Sequence, residues 1–164
     1  MALKTVNRLM AAVADPSPDV YLLHGVPYKA ATVLQKEIDS ENLAADLRNL
    51  RLLSQAWYQA REDGKPIPPL SRAASLSGDG ELYVRLAQTY INLNHWQNAA
   101  DAAQKGLEKG GIKRADVANI LLGMALFNQR KLNAARRAFA NAAGDKRSQK
   151  AATQWIAYVD SELK

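Results

Sequence analysis

The chain contains no cysteine. Disulfide staples, thiolate nucleophiles and Cys-ligated zinc are thereby excluded. The compartment stays open, because cytosolic proteins and bridge-free periplasmic ones share this lack. No apolar run approaches the roughly 20 residues that a membrane-spanning helix needs. The apolar stretch from Leu9 to Ala14 follows Lys4 and Arg8 and ends Ala12-x-Ala14, but it is shorter than the about 7–15 residues of a secretory leader core. Met1 to Ala14 therefore reads as an amphipathic helix, unless the chain is a piece of a longer protein whose leader lies elsewhere. Catalytic signatures are missing too. There is no phosphate-binding glycine loop, no nucleophile elbow, no paired-histidine zinc motif and no dinucleotide fingerprint. Nothing in the residues asks for a cofactor or a metal, and the chain is not read as an enzyme.

Glycine and β-branched residues are sparse, and alanine is abundant. That balance favours helix over sheet. With 48% apolar and 23% charged residues in 164 positions, the composition is that of an ordinary globular chain, long enough for one compact domain or a short repeat array.

A repeat is visible. From Gly80 to Gly111 the chain reads GELYVRLAQTYINLNHWQNAADAAQKGLEKGG, with Tyr83, Leu86, Ala87, Tyr90, Trp96, Ala99, Ala103 and Gly106 at regular places on two helical stretches. The same places recur 36 residues on, by the step from Ala87 to Gly123, as Asn119, Leu122, Gly123, Leu126, Leu132, Ala135, Phe139 and Ala142. The pattern resembles the tetratricopeptide repeat, whose period is about 34 residues. The two extra residues fit the turn from Gly110 to Lys113. A weaker unit precedes, with Leu50, Leu53, Ser54, Trp57, Leu70 and Ala73 in the same roles. There Pro66 stands where a small residue of the second helix belongs, so that helix is expected to start late, near Pro68 or Pro69, since proline is tolerated only in a first turn. Still earlier, Gly25, Ala30 and Leu34 mark a turn and second helix, while Asp15-Pro16-Ser17-Pro18 interrupts the first.

The physical logic is small against large. Ala87, Ala99, Gly123 and Ala135 let helices approach, and Tyr90, Trp96, Leu132 and Phe139 fill the space between hairpins. One hairpin cannot bury its own apolar face, so stacking supplies the core. The expected fold is all-α, a right-handed α-solenoid of tetratricopeptide-type hairpins. Its segments are 1–41 (partial repeat), 42–78 (degenerate repeat), 79–113, 114–145, and a capping helix over 146–164 with Ala151, Trp155, Ile156 and Val159 on its buried face. Asn94 with Gln97 reads as a helix N-cap, and Gly110 and Gly144 as helix ends.

The resemblance implies a protein or peptide partner held along the face lined by the first helix of each hairpin. By position, the candidates are Arg51, Gln55, Tyr58 and Gln59; then Arg85, Gln88 and Asn92; then Leu121, Met124 and Asn128. The set runs from cationic and amide-rich to apolar. A chaperone-type carboxylate clamp is not expected, because Gln55 and Gln88 stand where that clamp uses mainly Asn. The segments YLLHGVPYKAATVLQKEI and LRNLRLLSQAWYQAREDGKPIPPLSRAASLSGDGELYVRLAQTYINL further resemble the C-terminal part of bacterial tetratricopeptide proteins associated with TonB, ExbB and ExbD systems. That likeness implies an accessory role in TonB-dependent uptake and a periplasmic location, with the cytoplasm as the alternative.

Other features read as ordinary. His24 and His95 fall at hairpin turns about two repeats apart, too far to share a metal. Glu62-Asp63 and Asp39-x-Glu41 lie at helix ends and loops, not opposed across a cleft as acid–base catalysis requires. Residues 1–110 carry 12 basic and 12 acidic side chains, so the net charge of +6 resides wholly in residues 111–164, with 10 against 4. Lys113, Arg114, Arg130, Lys131, Arg136, Arg137, Lys146, Arg147 and Lys150 form this excess, which makes a polyanion or acidic surface the alternative partner. Nucleic acid is not favoured, because the aromatic residues fall mostly at packing positions. A homodimer or self-associating module is the third alternative, since the N-terminal end starts in mid-repeat.

Overall fold

The structure, a computed structural model, describes Pro18 and residues 25–164. The expectations for Met1–Ala14, for the break at Asp15–Ser17 and for His24 lie outside the described residues. Among the described residues there are eight α-helices and no strand: α1 (Pro27–Asp39), α2 (Leu47–Gln59), α3 (Ile67–Leu76), α4 (Glu81–Asn92), α5 (Trp96–Lys109), α6 (Ala115–Asn128), α7 (Leu132–Ala143) and α8 (Gln149–Glu162). No helix among them is long and apolar enough to cross a membrane. The chain forms two compact units, 1–73 and 74–164.

In the first unit α1 packs on α2. Ala30, Ala31, Leu34 and Ile38 recur at helical spacing on α1 and bury against Leu53, Ala56 and Trp57 of α2. Pro27 opens α1, where a missing N–H costs nothing. Asp46 caps α2 by accepting the Asn49 N–H at 2.8 Å. Beyond α2, Lys65 lays its Nζ over the rings of Trp57, at 4.5 Å, and Tyr28, at 5.1 Å, while pairing with Glu62 at 3.1 Å. α3 starts at Ile67 with Pro68 and Pro69 in its first turn, one residue ahead of the late start expected from Pro66. Leu50, Leu53, Ser54, Trp57, Leu70 and Ala73, the residues assigned packing roles in this repeat, are all buried.

In the second unit each helix packs on the next from α4 to α8, and α4 also touches α6. Ala87, Ala99, Ala103 and Ala135 are fully buried. Gly123 lies so close to Phe139 that an added Cβ would sit 2.5 Å from its Cε1. The start of α4 meets the end of α5 through two glycines, and a Cβ on Gly80 would overlap the carbonyl oxygen of Gly106. α8 covers α7 with Ala152, Trp155, Ile156 and Val159, and Trp155 stacks on Phe139 with ring centroids 5.1 Å apart. Ala152 thus takes the place expected of Ala151, which is exposed.

The hairpin turns share one device. Gly25, Arg61, Asn94 and Arg130, at steps of 36, 33 and 36 residues, all have φ between 57° and 70°. After α4, His95 N–H bonds to the Tyr90 carbonyl and Asn94 N–H to that of Ile91. The Arg130–Lys131 and Arg61–Glu62 turns repeat this pair of bonds. That is the Schellman termination, in which a left-handed residue lets the last carbonyls find donors. Asn94 is therefore the left-handed residue that ends α4, and not the N-cap of α5. The N-cap of α5 is His95, which makes no side-chain cap bond. Gly110 ends α5 at φ 73°, whereas Gly144 ends α7 in a right-handed conformation that any residue adopts.

Candidate functional site

On α2 the buried positions are Leu50, Leu53, Ser54, Ala56 and Trp57. Helical geometry puts Arg48, Arg51, Gln55, Tyr58 and Gln59 on the other side, and all five are exposed, Tyr58 at 66%. Arg48 extends this stripe by one turn toward the N-terminus. It was missing from the expected set, although its position three residues before Arg51 marks it. Asp46, Leu47, Arg48, Arg51, Leu52 and Gln55 line an open cavity of about 560 Å³. Neither arginine forms a hydrogen bond or ion pair with a described residue.

On α4, Arg85, Gln88 and Asn92 are also exposed, but the two amides bond to each other, Gln88 Nε2 donating to Asn92 Oδ1 at 2.9 Å. On α6 the expected set changes. Leu121 is only 4% exposed, and so belongs to the core rather than to a binding face. Met124 is half-buried and packs against the Phe139 cluster. Only Asn128 is open, and its amide donates to the Met124 carbonyl of its own helix. The reason lies in α6 itself, which carries apolar residues around its whole circumference and is accordingly enclosed. Within the expected set, the exposed side chains with no described partner are thus Arg51, Gln55, Tyr58 and Gln59 on α2 and Arg85 on α4.

In the basic C-terminal third four of the ten cations are held in ion pairs, and the other six make up its net charge of +6. All four of its carboxylates pair with arginine: Arg114 with Asp116, Arg147 with Asp145, Arg136 with Asp160 and Arg130 with Glu162. Asp116 is the one buried carboxylate among these, with its side chain 1% exposed. Arg114 grips it with Nε at 2.9 Å and Nη2 at 2.7 Å, and the Ser148 hydroxyl donates to it at 2.6 Å. The Arg114 bonds, helped by Ser148, hold the Asp116 carboxyl well below the usual carboxylate range, against the opposing effect of burial. Asp116 thereby ties the first turn of α6 to the N-cap of α8. Glu81 does the equivalent one repeat earlier, accepting the Lys113 N–H at 2.7 Å. These latches join successive repeats and are structural. Nothing in the local sequence distinguished Asp116 from a surface carboxylate at a helix start.

His95 sits exposed at the α4–α5 turn, its ring 6.1 Å from that of Tyr90. Glu62 is engaged with Lys65, and Asp39 accepts from Gln35. Among the described residues no three His, Asp or Glu side chains come together in a way that could hold a metal.

No protein-family model matches the chain, and no curated protein does. Solved structures do. A crystal structure of MamA superposes with a TM-score of 0.72 at 18% identity, covering 89% of this chain and 84% of that one. A second, of the MamA protein, gives 0.71 at 18% identity over 87% and 76%. The structure described as MamA MSR-1 C2 gives 0.67 at 18% identity over 89% and 82%. At this identity the likeness carries the fold alone, and that fold is the all-helical, tetratricopeptide-like repeat that the residues from Gly80 to Ala142 spell out.

Proposed function

We propose that the chain is a non-catalytic scaffold that holds a polypeptide against the outward side of α2. The observation that carries this reading is the stripe of Arg48, Arg51, Gln55, Tyr58 and Gln59. It is exposed, polar and unengaged within the described residues, on a helix whose other side is locked into the core. Arginine, amide and tyrosine side chains are the groups that bind a polypeptide through directed hydrogen bonds and aromatic contact. In the second unit, α4 presents its own exposed set, Arg85, Gln88 and Asn92. The Gln88–Asn92 bond is a surface contact of a few tenths of a kcal/mol, which a ligand can displace.

The test is affinity capture from native extract with the wild-type chain and with Arg51→Glu, Tyr58→Ala and Arg85→Glu, each checked by circular dichroism for an intact fold. The reading expects partners to be lost from the α2 variants and retained by Lys105→Glu on α5. Retention of every partner by Arg51→Glu and Tyr58→Ala would remove α2 as the binding face.

The narrower reading, an accessory of TonB-dependent uptake in the periplasm, is supported only by the resemblance of the segments from Tyr21 to Leu93. It predicts fractionation with periplasmic markers and co-purification with TonB, ExbB or ExbD. Recovery from the cytoplasm alone would end that version and leave the scaffold reading in place.

A further inference from the structure

We propose that α2 selects an acidic segment of its partner protein, a Glu or Asp side chain flanked by an aliphatic one, through the guanidinium pair of Arg48 and Arg51. This rests on the scaffold reading and adds the chemistry of the ligand.

Arg48 and Arg51 stand three residues apart, on the same side of α2, and both line the 560 Å³ cavity. Each guanidinium carries five N–H donors in a fixed fork, and none of these is used by a described residue. Two like charges one turn apart are mutually unfavourable, and a carboxylate between them relieves this. Asp46 is the one acidic residue lining the cavity, and its carboxylate already accepts the Asn49 N–H as the cap of α2. The floor of the cavity is aliphatic, with Leu47 and Leu52 half-buried. Gln55, one turn beyond Arg51, offers both a donor and an acceptor for a peptide group.

The contrast with the rest of the described surface sharpens the inference. A second cavity, of about 510 Å³, is lined by Thr32, Gln35, Lys36, Asp39, Ser40 and Trp57. Most of its polar heads are already occupied, Thr32 donating to the Tyr28 carbonyl, Ser40 to the Lys36 carbonyl and Gln35 to Asp39, which leaves a single cation, Lys36, rather than a guanidinium pair. In the basic C-terminal third, Arg114, Arg130, Arg136 and Arg147 are each neutralised by a carboxylate, while the other six cations, the exposed Arg137 among them, have none of that third's carboxylates left to pair with and are the rival site for an acidic segment. The cavity on α2 combines two unneutralised guanidiniums with an apolar floor, which fits a carboxylate beside an aliphatic side chain. A strip of phosphates would leave the leucines without a partner.

The test uses fluorescein-labelled peptides of four Glu-Leu-Gly, Gln-Leu-Gly or Lys-Leu-Gly units, titrated into the full chain and read by anisotropy. Backbone amide shifts locate the contact. The Glu peptide is expected to bind about tenfold more tightly than the Gln peptide and to move the amides of residues 47–55, with the Lys peptide weakest. Arg48→Gln with Arg51→Gln should erase the preference for Glu. Lys131→Gln with Arg137→Gln, both exposed on or beside α7, should leave it. Equal affinity for the Glu and Gln peptides, with shifts still on α2, would overturn the acidic chemistry and keep the scaffold reading. A Glu preference that survives the α2 double variant and disappears in the α7 one would place the acidic contact on the basic third and overturn the proposal. Shifts that avoid α2 with all three peptides would count against both. Tripolyphosphate displacing the Glu peptide at lower concentration than a tetraglutamate competitor would also overturn it, in favour of a phosphate ligand.

Discussion

Replacing Gly123 by alanine sets two effects of opposite sign against each other. Gly123 is in the interior of α6, where alanine is favoured over glycine by about 1 kcal/mol on helix propensity. Propensity alone therefore predicts a more stable protein. Packing predicts the reverse. The new methyl would stand 2.5 Å from Phe139 Cε1 and 2.7 Å from Cδ1 and Cζ, far inside van der Waals contact. The ring has little room to yield, since Phe139 is fully buried and stacked on Trp155 at an interplanar angle of 8°. Overpacking of this kind costs about 1–3 kcal/mol, and a rigid ring at 2.5 Å puts the site near the upper end. The net expectation is a loss of about 2 kcal/mol, read as a lower urea midpoint with an unchanged slope by circular dichroism and tryptophan fluorescence. Phe139→Leu removes the clashing ring atoms, so the double variant should lose less than the sum of the two single variants, by about 1 kcal/mol or more. A Gly123→Ala protein as stable as the parent, or more so, would refute the small-against-large account of the α6–α7 contact.

Further expectations follow from the same contacts. Gly80→Ala sets a methyl against the backbone carbonyl of Gly106, which cannot rotate away as a side chain could, and should cost about 3 kcal/mol in urea unfolding. Arg61→Gly should raise stability by about 0.5–1 kcal/mol, because Arg61 holds φ 57° and the relief of left-handed strain exceeds the added chain entropy. A loss on this change would mean that the turn is not strained. Ser148→Ala removes a hydrogen bond to the buried, charged Asp116 and should cost about 2 kcal/mol. Because the folded Asp116 carboxyl is held below its unfolded value, its contribution is complete above about pH 4 and is lost as pH falls below that. The urea midpoint should therefore be flat from pH 7 to about 5 and decline in acid, with a shallower acid decline in Asp116→Asn.

The hairpins were legible because their positions carry two signals at once. Ala87, Ala99, Ala135 and Phe139 repeat at a fixed step, and each is also the size that its place demands. The late start of α3 followed from Pro66 for a similar reason, since proline restricts the backbone wherever it stands. Asn94 misled because asparagine suits both an N-cap and a left-handed turn, and only the backbone path separates the two. The shift of the α8 stripe from Ala151 to Ala152 is a one-residue choice between neighbouring alanines, which composition does not settle. Leu121 shares the repeat offset of Arg85, one 36-residue step on, but α6 is apolar around its circumference and turns that position inward. Its role follows from being apolar all round rather than from its offset in the repeat. Asp116 stayed hidden because its partner Ser148 is 32 residues away and belongs to the next repeat.

The central claim is that α2 presents the binding face, and site-specific photo-crosslinking in intact cells tests it directly. A benzophenone side chain at Tyr58 or Gln55 should each yield a covalent adduct with the same partner protein. The same probe at Gln104 or Lys105, exposed on α5, should yield none. Adducts from α5 with silence at Tyr58 and Gln55 would contradict the account.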